Sequence, residues 1–149
     1  MASRAVLIPH GSDGPANKDR ASSCLTKLGY ELDWRNVEKG DSPNQPDDSV
    51  AITVIYGGGK PENEKDWHTN RYPWLKSETR WSEQCIARYI PTVGFCLGGQ
   101  IIANALGSTI GPHPEGIHEF GYYPLTLTED ANTYYLEDDG AGNVNAYYL

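Results

Sequence analysis

A short apolar run breaks at Gly94-Phe95-Cys96-Leu97-Gly98 and resumes at once with helical spacing, through Leu97, Ile101, Ile102, Ala105 and Leu106. Few folds accommodate that pattern. A β-rich segment that turns into an amphipathic helix within two residues needs a sharp strand-to-helix corner, and flanking glycines let the backbone pass through it without side-chain clashes. A cysteine at the apex has two readings. It is a nucleophile presented at the carboxyl end of a strand and the N-terminus of a helix, where free N–H groups and the helix dipole favour negative charge. Or it is a small buried residue, the commoner role of cysteine. On the first reading, the Leu97 N–H is placed to donate to an oxyanion.

The rest of the chain supplies the context. Residues 5–9 (AVLIP) read as a buried strand, 30–37 (YELDWRNV) as a second, and 49–56 (SVAITVIY) as a third, central one. Between the first two, a helix is expected from about Asn17 to Leu28, with Ala21, Cys24, Leu25 and Leu28 at i, i+3, i+4 and i+7 and Gly29 as its stop. A helix from Trp74 to about Tyr89 precedes a short strand at 92–95, and the helix of 97–106 ends at Gly107. Ser108-Thr109-Ile110-Gly111 reads as a short fifth strand. Strands alternating with helices predict a parallel sheet covered on both faces. Beyond Gly111 the pattern changes to antiparallel strands, the last two joined at 138–143 (DDGAGN). At 149 residues the whole reads as a single domain, 1–149. The chain stops inside an apolar strand pattern, NAYYL, which leads to the expectation of an interrupted, truncated domain.

Composition narrows the function. A net charge of −8 and the absence of a Lys/Arg cluster argue against a nucleic-acid surface. No apolar run approaches the roughly 18 residues of a membrane-spanning helix, and the N-terminal apolar run is too short for a secretory signal. Three cysteines, without CxxC or zinc spacing, indicate neither a disulfide framework nor a metal site. A reducing cytoplasm is the default expectation. Cys24 and Cys85 fall on apolar helix faces with no glycine nearby and read as structural filling. An oxyanion hole needs a second donor from another loop at the same sheet edge, and Gly57-Gly58-Gly59 ends the central strand there. An ordinary turn or a phosphate cradle would explain a glycine triplet equally well.

Taken in order, these segments resemble the class I glutamine amidotransferase domains, in particular stand-alone ones similar to the amidotransferase half of GMP synthase. The stretch 37–59 resembles the family's loop, strand and oxyanion turn. Residues 71–78 (RYPWLKSE) resemble the start of the following helix, and 91–110 (PTVGFCLGGQIIANALGSTI) are similar to the signature G-x-C-x-G-x-Q and its helix. Residues 118–128 (HEFGYYPLTLT) resemble the Glu-Ile-Gly strand, with Glu119 at the Glu position. The resemblance implies a flavodoxin-like, mostly parallel α/β sheet with an antiparallel C-terminal extension, here as an incomplete class I fold. It implies hydrolysis of the glutamine side-chain amide by a Cys-His-Glu triad. Cys96 would form the thioester, and Leu97 and Gly58 would supply the oxyanion-hole amides. Gly57, Gly59 and Gln100 would contact substrate, with no cofactor or metal. The family's catalytic His and Glu, two apart on a late strand, would fall beyond residue 149. The triad is therefore expected to be incomplete and the chain impaired, with ammonia passing to a synthetase partner or a missing C-terminal segment. His10, after the first strand, could lie at the sheet edge of Cys96 as a base, or be a polar loop residue. His68, in the long polar loop, reads as a solvent-exposed residue or else a rim or substrate contact, and His118 as a cap or loop contact. A non-catalytic metabolite-binding module, and a γ-glutamyl hydrolase or redox-sensing relative, are the alternatives.

Overall fold

The computed structural model describes residues 3–11, 19–58, 71–111 and 115, together with the backbone of 134–138 and 144–148. The chain divides into two compact units, Met1–Pro112 and His113–Leu149.

The first unit is built on a four-stranded parallel sheet in the order β2-β1-β3-β4. Its strands are β1 (Arg4–Ile8), β2 (Glu31–Trp34), β3 (Val50–Ile55) and β4 (Thr92–Gly94). The order reverses between β1 and β3, the switch that opens a crevice at the carboxyl edge of doubly wound sheets. Because side chains alternate along a strand, β1 serves two cores at once. Val6 and Ile8 face one side, packing with Leu75, Trp81, Cys85, Leu97 and Ile101. Ala5 and Leu7 face the other, with Leu25 and Val54. Helix α1 (Arg20–Lys27) thus covers one face, while α2 (Pro73–Ala87) and α3 (Leu97–Ala105) cover the opposite one. This is the flavodoxin-like α/β arrangement that the sequence predicts. A buried polar relay crosses the larger core: the Trp81 indole donates to Thr53 Oγ1 at 3.0 Å, and that hydroxyl donates to the Val6 carbonyl at 3.1 Å.

Three details differ from expectation. Helix α1 begins at Arg20, not Asn17, because Asp19 caps it by accepting from the Ser22 N–H at 2.9 Å. Its buried face is Ser22 and Leu25, while Cys24 and Leu28 are exposed. Ser22 can be buried because its hydroxyl donates to the Asp19 carbonyl at 3.2 Å. Finally, 108–111 form no strand. The Ser108 N–H is taken by the Ala103 carbonyl and the Gly107 N–H by Asn104, both at 2.9 Å. That double closure, with Gly107 at a φ of 88°, spends on the helix end the amide a strand would need.

In the second unit, β5 (Tyr134–Asp138) pairs antiparallel with β6 (Val144–Tyr148), Leu136 opposite Ala146, as the sequence predicts for this region. The strand expected within 118–128 lies outside the described residues.

Candidate active site

The corner between β4 and α3 is made by backbone approaching backbone. A Cβ on Gly94 would lie 2.5 Å from both the Gly98 carbonyl carbon and the Gly99 nitrogen. One on Gly98 would lie 2.0 Å from the Ile55 carbonyl oxygen, so α3 can start against the end of β3 only with hydrogen there. Two bonds set the corner: the Phe95 N–H donates to Ile55 and the Gly98 N–H to Phe95, each at 2.9 Å. The apex residue takes the conformational cost. Cys96, the N-cap of α3, has φ 52° and ψ −112°, a left-handed region that side-chain-bearing residues rarely adopt. Strain of this kind costs on the order of 1–3 kcal/mol and persists only where neighbours enforce it. Its result is an exposed thiol at the carboxyl edge of the sheet.

Cys85 is the contrast. It lies fully buried in the core on α2, and burial pushes its thiol pKa up to about 12. Structural filling, the sequence reading for this cysteine, holds; for Cys24 it does not, since that thiol is exposed.

Beside Cys96, the chain leaving β3 comes close. A Cβ on Gly57 would stand 3.2 Å from Cys96 Cβ and 3.8 Å from Cys96 Sγ. One on Gly58 would stand 2.8 Å from His10 Cβ and 3.1 Å from Leu97 Cδ2. Gly57 thus packs against Cys96, and Gly58 against His10 and Leu97. Gln100 sits exposed one turn along α3, its N–H donating to the Cys96 carbonyl at 3.1 Å. Cys96, Gly57, Gly58, Leu97 and Gln100 are thus brought to one edge. Gly59 and His68 lie outside the described residues.

His10 is at this edge too, in a role the sequence does not disclose. It follows β1 in a loop, but its side chain is only 1% exposed, so it is buried and not solvated. Nδ1 lies 3.0 Å from the Tyr56 carbonyl, which can only accept, so Nδ1 carries a hydrogen. Nε2 lies 3.0 Å from both carboxylate oxygens of Glu78, whose side chain is fully buried on α2. Both ring nitrogens are engaged, and neither is open to the Cys96 thiol. A single proton must lie between Nε2 and the carboxylate, since two bare acceptors would repel there. Burial by itself would pull the His10 pKa down, but the hydrogen bond and charge of Glu78, helped by Glu38 and Tyr56, carry it above 6.5. Burial raises Glu78 as well, only partly offset by the hydrogen bond and charge of His10. The pair therefore keeps its proton to higher pH than either group would in water.

Glu78 is a site residue that sequence reading passes over. The signal was present: the buried residues of α2 are Leu75, Glu78, Trp81, Ser82 and Cys85, which sets a carboxylate within an apolar helical stripe.

The expectation of an incomplete triad needs one amendment. The spacing His-x-Glu does occur, at His113-Pro114-Glu115. It follows α3 directly instead of lying on a late strand. His113 lies outside the described residues and Glu115 is exposed, so spacing alone gives neither a role beside Cys96. His118 and Glu119 likewise lie outside the described residues. Among the described residues no cluster of three or more His, Cys, Asp or Glu could hold a metal ion, and no helix is long and apolar enough to cross a membrane.

Several known proteins are similar to this chain. The chain is 32% identical over 103 residues to the glutamine amidotransferase-like protein YfeJ of Salmonella typhimurium, a match covering 68% of the chain and 41% of that protein. It is 31% identical over 70 residues to a glutamine-hydrolyzing GMP synthase subunit from Ignicoccus hospitalis, covering 47% of the chain and 32% of the relative. Among solved structures, a glutamine amidotransferase from Thermotoga maritima superposes with a TM-score of 0.59 at 25% identity, covering 72% of the chain and 44% of its own. The chain carries a class I glutamine amidotransferase-like domain. A glutamine amidotransferase from Methylobacillus flagellatus shares the fold, with a TM-score of 0.57 at 19% identity over 72% of the chain and 40% of its own. No family model matches. The amidotransferase-like chain spans less than half the length of these relatives.

Proposed function

We propose that this amidotransferase-like domain hydrolyses the side-chain amide of glutamine through Cys96. The sulfur adds to the amide carbon and the developing oxyanion is received by the Leu97 N–H and an N–H of the Gly57-Gly58 turn. Collapse expels ammonia, the leaving nitrogen taking up the proton that the thiol gave up, and leaves a γ-glutamyl thioester, which water then cleaves to glutamate with return of the thiol. Gly59 and Gln100 belong to the substrate-contact set on this reading. The observation that carries it is the strained, exposed Cys96 at the N-cap of α3, with Gly57 packed against it. The ammonia passes to an acceptor bound outside these residues, on a synthetase partner or a further segment; the likeness to a GMP synthase subunit supports a partner of that kind.

A second reading, binding without turnover, is favoured by a specific observation. Among the described residues no hydrogen bond reaches the Cys96 thiol, and the His10 imidazole at this edge is committed elsewhere. One assay separates the two. Ammonia release from glutamine by the 149-residue chain, lost in Cys96→Ala, supports hydrolysis. Saturable glutamine binding with no ammonia above the Cys96→Ala level would favour the binding module.

A further inference from the structure

An oxyanion donor works only if its direction is fixed before the reaction begins. Gly57 and Gly58 have no strand or helix of their own to fix them. What holds this turn lies beneath it, at the end of β1. His10 Nδ1 donates to the Tyr56 carbonyl at 3.0 Å, and in a planar trans peptide that carbonyl and the Gly57 N–H point in opposite directions. Anchoring the Tyr56 oxygen therefore aims the amide of the glycine that packs against Cys96. Gly58 rests directly on the His10 side chain. The imidazole is itself clamped by Glu78 at 3.0 Å and by the Trp74 ring, with centroids 5.3 Å apart. Tyr56 is fastened twice more, by its N–H to the Ile8 carbonyl at 3.0 Å and by its phenol to Asp19 at 2.9 Å.

We infer that His10 and Glu78 are positioning residues: a buried pair that orients the Tyr56–Gly58 turn toward Cys96 while exchanging no proton with the thiol. This rests on the glutaminase reading above. It commits the two His10 nitrogens to different tasks, Nδ1 to the turn and Nε2 to the anchor, and amide side chains can separate them. Asparagine at 10 places its amide nitrogen near the Nδ1 position, and glutamine places its own near Nε2.

The test compares two reagents on Cys96 in the 149-residue chain carrying Cys24→Ser. A chloromethyl ketone with the glutamine side-chain skeleton binds the substrate site. The sulfur forms a bond to the methylene carbon as chloride leaves, with the ketone oxygen in the oxyanion hole. Iodoacetamide makes the same kind of bond, losing iodide, without needing the hole. His10→Gln should lower the maximal inactivation rate by the ketone about tenfold or more, leaving its half-saturating concentration and the iodoacetamide rate within about twofold. His10→Asn should retain most of the ketone rate despite a lower melting temperature. If a His10 variant does not fold, Glu78→Ala carries the test, because it frees Nε2 and should lower the ketone rate about tenfold with the iodoacetamide rate within about twofold, while Glu78→Gln, which keeps a partner for Nε2, is its control. Equal ketone rates in parent, Gln and Asn chains would overturn the inference, as would a parallel fall in both reagents' rates. A parent chain that reacts no faster with the ketone than with iodoacetamide would overturn the glutaminase reading and this inference together. Selective parent alkylation with indifferent variants would overturn this inference alone.

Discussion

The corner at Cys96 and its support at His10 lie at one sheet edge but are held by opposite means. The corner is backbone against backbone, and its determinants are atoms that are missing: Gly94 and Gly98 admit no Cβ. The support is side chain against side chain, an ionisable pair taken out of water. Steric exclusion of the first kind is insensitive to pH and salt and tolerates no change. A buried ionisable pair is graded: it weakens with pH, and it accepts a neutral hydrogen-bonding substitute far better than a truncation. Hard geometry holds the strained Cys96, and tunable polar contacts hold the turn beside it.

The largest effect that would break this contrast is at Gly98. Gly98→Ala puts a methyl 2.0 Å from the Ile55 carbonyl oxygen, and we expect the cooperative urea transition of the first unit to be lost. A near-wild-type transition would show that the corner can shift. Next comes the pair. Glu78→Ala leaves a buried imidazole without its partner and should cost about 3–5 kcal/mol in the same experiment. Glu78→Gln should cost markedly less, and equal losses would mean that Glu78 only fills space.

The pH dependence is smaller and has a definite sign. Both folded-state pKa values of the pair are raised, His10 above 6.5 and Glu78 above 4.5, so the folded chain binds the shared proton more tightly than the unfolded chain. The pair's stabilisation is complete below these ordinary values and is lost as pH rises through the raised ones. Wild-type stability should therefore fall as pH climbs from about 6.5, and the slope should flatten in Glu78→Gln. A slope identical in both chains would assign the loss to other groups. The smallest effect concerns the neighbouring glycine. A Cβ on Gly99 meets only the Gly94 carbonyl oxygen, at 3.6 Å, so Gly99→Ala should be neutral or stabilise by up to about 1 kcal/mol through helix propensity. A loss comparable to that of Gly98→Ala would mean the corner is tighter than its contacts indicate.

The same contrast explains what the sequence discloses. Steric exclusion leaves a local trace: Gly-x-Cys-x-Gly between a β-branched run and a helical period can be read from five consecutive residues. The sheet follows from alternating strands and helices by similar local logic. The His10–Glu78 pair joins residues 68 positions apart, and no local pattern links them. Only the place of Glu78 among Leu75, Trp81 and Cys85 hints that its carboxylate is buried. Helix α1 departs from its expected face for a related reason. A period of i, i+3, i+4, i+7 over two turns fits neighbouring faces almost equally well, and the locally satisfied Ser22 hydroxyl tips the choice away from Cys24 and Leu28. The strand expected at 108–111 does not form because the helix end competes for the same amides, a contest that hydropathy does not register.

The seating of Gly98 on Ile55 also bears on how the chain folds. The β4–α3 corner is short in sequence, yet its geometry is defined by residues more than forty positions earlier, and its support by the end of β1. Closing such loops costs entropy before any contact repays it, and contacts between distant segments form slowly. The strained Cys96 conformation cannot outlive the undocking of β3, nor exist before that strand arrives. On a nascent chain, the Cys96 corner is assembled only once the sheet has been.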